Sequence, residues 1–323
     1  MKVLLTGAAG FIGNHLAYRL TKDGFDVVGA DNVNAYYSVA LKRARLARLS
    51  ADPRFSFHEI DVADETAFDA LCRTTKADVI IHLAAQAGVR YSLENPFAYN
   101  HSNLRGHLSV LEAARRTPPR HLLYASSSSV YGANVKTPFC ETDRVDEPVS
   151  LYGATKKANE VMSTAYGRLF QLPLTGFRFF TVYGPWGRPD MAYWIFTEKM
   201  RKGEPIDVFN NGEMARDFTY VDDIVDGLVA AIDQPPSVED QFHRLFNLGN
   251  DTPEPLMKLI SLLEENLGVK AIKNFKGMQK GDVQRTWADI SKARGILSYN
   301  PKTSLEEGIR RTISWRTSTD MVF

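Results

Sequence analysis

The sequence predicts an α/β protein with a Rossmann-type doubly wound parallel sheet and a smaller C-terminal α/β substrate domain. Two observations support this prediction. Short apolar runs of strand length alternate with segments of helical periodicity through the first half of the chain. This alternation is typical of a parallel sheet covered by helices on both faces. A glycine-rich turn also joins the first strand to the first helix, where such folds place the phosphates of a dinucleotide.

Apolar runs and helical periodicity predict the order of strands and helices along the chain. Residues 1–5 form an apolar strand, and apolar residues recur at helical spacing from Ile12 to Leu20 before Gly24 ends the helix. Further strands are predicted at residues 26–30, 55–60, 79–83, 121–125 and 174–177. After Tyr183, prolines and glycines interrupt shorter elements, with helices near residues 256–267 and 305–315. We therefore expect a Rossmann domain at residues 1–180 and a smaller domain at residues 181–323, with some interleaved segments.

Composition excludes several classes of function. The 323 residues are 44% hydrophobic and 24% charged, with a net charge of +1. This balance gives no bulk attraction to nucleic acid or a membrane surface, and no apolar run approaches a membrane span. The two cysteines, Cys72 and Cys140, form neither a disulfide framework nor a metal-ligand cluster. We expect a cytoplasmic protein with no metal, nucleic-acid partner or membrane contact, in which a few local residues recognise any anionic ligand.

The glycine-rich turn is the first candidate for a binding site. It has the sequence GAAGFIG, with glycines at Gly7, Gly10 and Gly13 and with Phe11 and Ile12 at the helix start. Glycines let the backbone approach a pyrophosphate, and the helix N-terminus offers free N–H groups. The spacing is GxxGxxG rather than GxGxxG, so turn formation and packing alone would also explain the triplet.

Acidic residues at the ends of the next strands strengthen the nucleotide interpretation. Asp31 ends the second strand, at the distance expected for a carboxylate that binds the adenosine ribose. A carboxylate there would repel a 2′-phosphate, which favours NAD over NADP. The alternative is a turn aspartate before Asn32. Asp61 and Val62 follow the third strand and would lie near the adenine, although Asp61 could instead cap a helix.

A tyrosine and a lysine four residues apart are the candidate chemical groups. Tyr152 and Lys156 share one face of a predicted helix. A nearby ammonium and a positive nicotinamide ring would favour the phenolate, which moves the pKa of Tyr152 toward neutral pH. Four serines at residues 126–129 follow an apolar strand. They could form a solvated loop, or a hydroxyl there could hydrogen-bond the substrate oxygen that exchanges a proton.

These motifs carry a family resemblance over essentially the whole chain. Through GAAGFIG, HLAAQ, SSSSVYG, YGATK and RDFTYVDD, the sequence resembles the extended short-chain dehydrogenase/reductases. The strings AGVRYSLENP and RFFTVYGPWGRPDMA are most similar to those of UDP-glucuronate 4-epimerases. The resemblance implies an NAD-binding domain at 1–180 and a UDP-sugar-binding domain at 181–323. It implies that tightly held NAD accepts a hydride from C4, the 4-keto sugar turns, and the hydride returns to the opposite face. It also implies a homodimer formed through helices near residues 102–116 and 152–170.

The resemblance assigns roles to individual residues. It makes Tyr152 the general acid–base, Lys156 its partner and Ser127 the bridge to the sugar O4. The implied NAD contacts beyond the glycine turn and Tyr152–Lys156 are Asn32, Asp31, Asp61, Val62, Leu83, Ala84, Ala85, Asn103 and Phe179. The implied contacts of the UDP-glucuronate substrate are Arg90, Ser127, Ser128, Tyr152, Thr181, Arg188, Phe209, Arg216, Gln279 and Asp282. Three of these residues also have an alternative explanation without a ligand. Arg188 could be a solvated residue of a loop, Phe209 could be part of the core, and Asp282 could be part of a turn.

Related reactions remain as alternatives. The 4,6-dehydratases carry an Asp-Glu pair where this chain has Ser128 and Ser129, and the decarboxylases carry a glutamate at Ser129. UDP-glucose/UDP-galactose 4-epimerases have asparagine at Thr181, and a neutral hexose would leave Arg188 without a partner. Some glucuronate enzymes have threonine where this chain has Ala125, so one donor to the substrate carboxylate would be missing here. A non-catalytic NAD-binding regulatory module would have lost the tyrosine or the lysine.

Overall fold

The computed structural model describes residues 1–279 and 281–319. The strands within them are β1 (Lys2–Thr6), β2 (Asp26–Asp31), β3 (Phe55–Glu59), β4 (Val79–His82), β5 (His121–Ser127), β6 (Leu174–Phe179), β7 (Thr181–Tyr183), β8 (Ile206–Val208), β9 (Ala215–Tyr220), β10 (His243–Leu248), β11 (Pro253–Pro255) and β12 (Lys273–Phe275). The helices are α1 (Phe11–Lys22), α2 (Val39–Ala47), α3 (Glu65–Thr75), α4 (Tyr91–Glu94), α5 (Pro96–Tyr99), α6 (Gly106–Arg116), α7 (Leu151–Phe170), α8 (Ala192–Arg201), α9 (Val221–Ile232), α10 (Leu256–Leu267), α11 (Ser291–Leu297) and α12 (Leu305–Ser318).

A seven-stranded parallel sheet organises the fold, in the order β10-β6-β5-β4-β1-β2-β3. Side chains along β1 alternate between two apolar layers, with Val3 and Leu5 on one side and Leu4 on the other. Helices α1 and α9 cover the first layer, and α3 and α6 cover the second. The predicted fold class, a doubly wound Rossmann-type sheet, is therefore confirmed.

The chain beyond residue 180 contributes to this sheet as well as to smaller ones. Strand β10 adds to the edge beside β6, and α9 packs on α1, where Arg19 Nη1 lies 2.7 Å from Asp226 Oδ1. The same part of the chain forms two small sheets, β11-β9-β7 and β12-β8. The division at residue 180 stays a prediction. Strand β10 lies beyond residue 180 in sequence but belongs to the seven-stranded sheet.

Two strands extend further than their apolar residues predict. Both β5 and β6 continue for two residues beyond the predicted ends, through Ser127 and Phe179. The cause is a buried polar group: Ser126 pairs with Arg178 across the strands, and both side chains bind the Glu160 carboxylate, with Arg178 Nε 2.8 Å from Oε1. Arg178 and Glu160 are almost fully buried as an ion pair, so polar sequence here belongs to the sheet.

None of the helices among residues 1–279 and 281–319 has the length and apolar character that crossing a membrane requires.

Candidate active site

A cavity of about 410 Å³ opens along the C-terminal ends of the parallel strands, which is where α/β sheets bind their ligands. The walls come from β1, β2, β4, β5 and β6 on one side and from the loops after residue 180 on the other. It brings together the predicted residues Gly7, Gly10, Phe11, Ile12, Gly13, Asp31, Asn32, Asp61, Val62, Leu83, Ala84, Ala85, Ser127, Ser128, Tyr152, Lys156, Phe179, Thr181, Arg188, Arg216 and Asp282.

The glycine positions of the turn leave no room for a Cβ. Gly7 has φ of +75°, and a Cβ there would lie 2.8 Å from the backbone of Leu83 and Ala84. A Cβ on Gly13 would lie 2.1 Å from the Gly7 carbonyl oxygen. Gly10 begins α1 without a side-chain cap, so the first N–H groups of the helix remain for a ligand. The turn therefore fits the pyrophosphate of a dinucleotide.

The two aspartates predicted near the adenosine are fixed by hydrogen bonds. Asp31 accepts from Ala9 N at 3.2 Å and Val33 N at 2.8 Å, which joins the end of β2 to the glycine turn. Burial raises the pKa of Asp31, while those two hydrogen bonds oppose the increase. Asp61 accepts from Asn32 Nδ2 at 3.0 Å. The alternative of a helix cap at Asp61 is wrong, because the residue that caps α3 is Asp64.

The candidate catalytic residues meet where β5 ends and α7 begins. Ser150 caps α7, which places Tyr152 in the first turn of the helix, beside Ser127. The helix approaches closely because Gly153 has no side chain: a Cβ there would lie 2.5 Å from the Ser129 carbonyl oxygen. Lys156 is 3% exposed. At the cavity wall, Ser127 and Lys156 are therefore buried and Tyr152 is half-buried.

Several neighbouring groups act on the ionisation of Tyr152. Burial raises the pKa of Tyr152, with the Ser127 hydrogen bond and the charge of Arg188 acting the other way. Lys156 Nζ donates to the Ala125 carbonyl oxygen at 2.9 Å, and the lowering of the Tyr152 pKa by this ammonium stays a prediction. Burial lowers the pKa of Lys156 to about 8. The positive end of the α7 dipole, Ser127 and Arg188 also favour the phenolate.

Asn103 supports this region from outside the cavity lining. It lies in a π-helical turn, Asn100–Arg105, that continues into α6. Its Nδ2 donates to Gln86 O and to Thr155 Oγ1, each at 3.0 Å, and its own carbonyl accepts from Asn159 Nδ2 at 2.7 Å. Because Thr155 and Asn159 flank Lys156 on α7, Asn103 fixes the helix that carries the lysine. The predicted direct contact with NAD stays a prediction.

Arg188 has a partner that the sequence argument did not anticipate. Its Nε donates to Asp190 Oδ1 at 3.0 Å, and its Nη2 donates to Oδ2 of the same carboxylate. Tyr36 donates to Asp190 Oδ2 at 3.0 Å. The argument that a neutral hexose would leave Arg188 unpaired is therefore wrong, since Asp190 pairs with it in any case. Arg188 still lines the cavity, as do Ser128 and Thr181.

The residues predicted for the nucleotide form two pairs. Arg216 Nη2 lies 2.6 Å from Asp282 Oδ1, and both line the cavity. The Arg90 guanidinium stacks over the Phe209 ring at 5.2 Å. Arg90, Phe209 and Gln279 are not among the residues lining the cavity. Among the described residues, the buried Oε1 of Gln279 has no hydrogen-bond partner.

Several residues of the site were missed by the sequence analysis. Asn34, Tyr36 and Lys42 line the cavity from the segment after β2, and Lys42 Nζ donates to Asn34 O and Oδ1 at 2.8 Å each. Their position after the carboxyl end of a predicted strand was the available signal. Asp190 carried no such signal.

Arg45 connects the two sides of the cavity, although no pattern in the sequence marks it. This arginine of α2 is fully buried. Its Nη1 donates to Ala9 O in the glycine turn at 3.1 Å, and its Nη2 donates to Trp186 O and Gly187 O at 2.7 and 2.8 Å. One side chain therefore holds the glycine turn against the loop that carries Arg188.

Comparisons with known proteins agree with this geometry. Residues 3–249 match the NAD dependent epimerase/dehydratase family. A probable UDP-glucuronate 4-epimerase of Rhizobium meliloti is 46% identical, over 98% of this chain and 96% of that protein. The crystal structure of UDP-glucuronic acid 4-epimerase from Bacillus cereus, in complex with UDP-glucuronic acid and NAD, has 36% identity and a TM-score of 0.91, covering 98% and 99% of the two chains. UDP-glucose 4-epimerase of Thermotoga maritima has 31% identity and a TM-score of 0.89, covering 98% and 99%. The chain belongs to the NAD dependent epimerase/dehydratase family.

Proposed function

We propose that this protein is an NAD-dependent 4-epimerase that interconverts UDP-glucuronate and UDP-galacturonate. The observation that carries the proposal is one cavity in which Ser127, Tyr152 and Lys156 face Thr181 and Arg188. The first group suits acid–base chemistry at a hydroxyl, and the second offers donors to a carboxylate. Relatives named as UDP-glucuronate 4-epimerases support the substrate.

The glycine turn, Asp31 and Lys156 are the residues that would hold NAD. Gly7 and Gly13 allow close packing of the backbone in the turn, and Gly10 leaves the first N–H groups of α1 without a side-chain cap, so the turn fits a pyrophosphate. Bound NAD supplies the acceptor and donor of the C4 hydride. We expect tight retention, because an epimerase regenerates its cofactor in each cycle.

The chain's own residues handle the proton and the orientation of the sugar. Tyr152 as phenolate takes the O4 proton, and Ser127 hydrogen-bonds the same oxygen as it becomes a carbonyl. When the sugar has turned and C4 has been reduced again, Tyr152 returns the proton to O4, so no net proton is lost. Ser128, Thr181 and Arg188 hold the carboxylate. They must keep it away from the geometry in which a 4-keto glucuronate, a β-keto acid, loses CO2.

The direct test is incubation of the purified protein with UDP-glucuronate, followed by anion-exchange separation with mass detection. UDP-galacturonate of unchanged mass is the expected product. A product lighter by CO2 would replace the proposal with a decarboxylase. Turnover of UDP-glucose with none of UDP-glucuronate would favour the second candidate, a UDP-glucose 4-epimerase. The Arg188–Asp190 pair keeps that candidate open, since Arg188 needs no substrate carboxylate as a partner.

We expect the activity to fall as the pH rises above about 8. Burial lowers the pKa of Lys156 to about 8, so the ammonium is present below that pH and is lost above it. A neutral amine no longer favours the Tyr152 phenolate. The measurement is the pH profile of kcat/KM. In a Lys156→Arg variant, whose guanidinium stays charged, the loss near pH 8 should disappear; a profile unchanged by the substitution would assign the limb to another group.

The proposal includes a homodimer that works in the cytoplasm. Helices α6 and α7 expose apolar side chains that a partner subunit would cover, namely Leu108, Val161, Leu169 and Phe170. Cys72 and Cys140 are both free, as expected for a reducing compartment. Sedimentation equilibrium tests the dimer: a mass near the 36.2 kDa of one chain would contradict it.

A further inference from the structure

The pair formed by Arg188 and Asp190 is a built feature of the cavity wall. Asp190 accepts hydrogen bonds from two nitrogens of Arg188 and a third from Tyr36. The side chains of Arg188 and Asp190 are 23% and 30% exposed, so water screens the pair only partly. Arg188 and Tyr36 line the cavity, and Asp190 bridges them. Asp190, which is itself held by Tyr36 from a separate segment, therefore fixes the Arg188 guanidinium.

The pair removes most of the charge that Arg188 would present to a ligand. Although burial opposes the change, the Asp190 contact raises the pKa of Arg188, so the guanidinium stays charged. Although burial opposes it here too, Arg188 lowers the pKa of Asp190, so the carboxylate stays charged as well. The two opposite charges cancel at the cavity wall. A guanidinium has five N–H groups, and a carboxylate that binds two nitrogens leaves donors for a second carboxylate.

We propose that Asp190 is a positioning residue that limits how strongly Arg188 holds the substrate carboxylate, so that the sugar can turn during the reaction. The inference rests on the proposed epimerase function. With Asp190 present, the substrate carboxylate meets hydrogen-bond donors in a pair that is already neutral. Without it, the carboxylate would meet an uncompensated cation in a partly buried site.

A weaker interaction between Arg188 and the substrate carboxylate is useful because the sugar must turn within the site. The carboxylate is attached to C5, so it moves when the 4-keto ring turns to present its other face. A full ion pair would stabilise the bound states before and after the turn more than the states between them. Such binding lowers KM and also lowers kcat, because the bound states gain more stabilisation than the states that the sugar must pass through. A neutralised arginine can orient the carboxylate while allowing the motion.

Asp190→Asn tests the proposal, because the amide keeps the shape and loses the charge. We expect this variant to bind UDP-glucuronate about tenfold more tightly, with kcat lower by a similar factor. Binding of UDP-glucose, which has no carboxylate, should change by less than about twofold. Asp190→Glu restores the charge and should bring both constants back toward those of the wild type. Calorimetry and steady-state kinetics measure the two effects separately.

The chain offers a matched control. Arg144 and Asp146 form a pair with the same sequence spacing, Nε to Oδ2 2.7 Å, with side chains 82% and 53% exposed. Asp146→Asn should leave the kinetics of both substrates unchanged. An Asp190→Asn variant that behaves like this control, or that raises KM with kcat unchanged, would overturn the inference alone. Wild-type protein that neither binds nor converts UDP-glucuronate would overturn the proposed function and the inference with it.

A measurement on the wild type covers the case in which the variant does not fold. The diphosphate is common to both ligands, so the ratio of the Kd of UDP-glucose to that of UDP-glucuronate isolates the carboxylate. If Asp190 neutralises Arg188, this ratio should change by less than about twofold between low and high salt, because a neutral pair is little affected by screening. A ratio that falls steeply with salt would mean an uncompensated cation and would refute the proposal.

Discussion

Replacing Tyr152 by phenylalanine is expected to lower kcat about 1,000-fold, the range typical of a lost general acid–base group. The ring keeps its place at the start of α7, against Tyr99 at 6.1 Å, and only the hydroxyl beside Ser127 is removed. Proton removal from O4 then has no base at that position. The bound NAD content of the purified variant should equal that of the wild type, which separates lost chemistry from lost binding.

The same helix supplies the control for this substitution. Tyr166 also lies on α7, and its hydroxyl donates to Glu112 Oε1 at 2.7 Å, away from the cavity. Tyr166→Phe should keep kcat within about twofold of the wild type, since it removes a hydrogen bond of modest net value. If Tyr152→Phe retained a tenth or more of the wild-type turnover, another group would have to move the O4 proton.

Substituting alanine for Gly13 is expected to abolish NAD retention and to lower the free energy of unfolding by about 3 kcal/mol, the upper part of the range for overpacking. The new Cβ would lie 2.1 Å from the Gly7 carbonyl oxygen and 2.8 Å from its carbon. Both are backbone atoms, so the turn itself must move. The backbone conformation that would bind the pyrophosphate is then lost. Nucleotide extraction and denaturant-induced unfolding measure the two effects.

Gly295 provides a contrasting substitution. It lies within α11, and a Cβ there would meet nothing within 4 Å. Gly295→Ala should raise the free energy of unfolding by about 0.5 kcal/mol and leave NAD content unchanged. A Gly13→Ala protein as stable as the wild type, with NAD still bound, would show that the turn can relax and would weaken its assignment as the pyrophosphate site.

The sequence predicted most of the sheet because buried parallel strands are short apolar runs between helices. That rule stops at Ala125 and Phe177, where β5 and β6 continue through polar residues. The continuation depends on Glu160, which lies on α7 and binds Ser126 and Arg178. This pairing of buried polar groups joins residues that are distant in sequence, so local periodicity does not predict it.

The candidate site was predictable to the extent that its residues lie in motifs. The glycine turn and Tyr152–Lys156 have a spacing that is set by one turn or one helix. By contrast, Arg216 and Asp282 were predicted as separate substrate contacts, yet they form an ion pair between segments 66 residues apart. Asp190 lies two residues from Arg188 in sequence, but the sequence does not indicate that its carboxylate contacts the guanidinium. Partners within a site depend on tertiary geometry that spacing does not encode.

Arg45 has a consequence for how the native protein fluctuates. Its guanidinium binds carbonyl groups of both the glycine turn and the loop at residues 186–187. Opening either segment alone would strand a buried cation with unsatisfied donors, which is costly. The two segments should therefore open as one cooperative unit in native-state hydrogen exchange, with similar protection on both sides of the cavity. A local opening of the glycine turn would then also open the loop at residues 186–187, even when no ligand is bound.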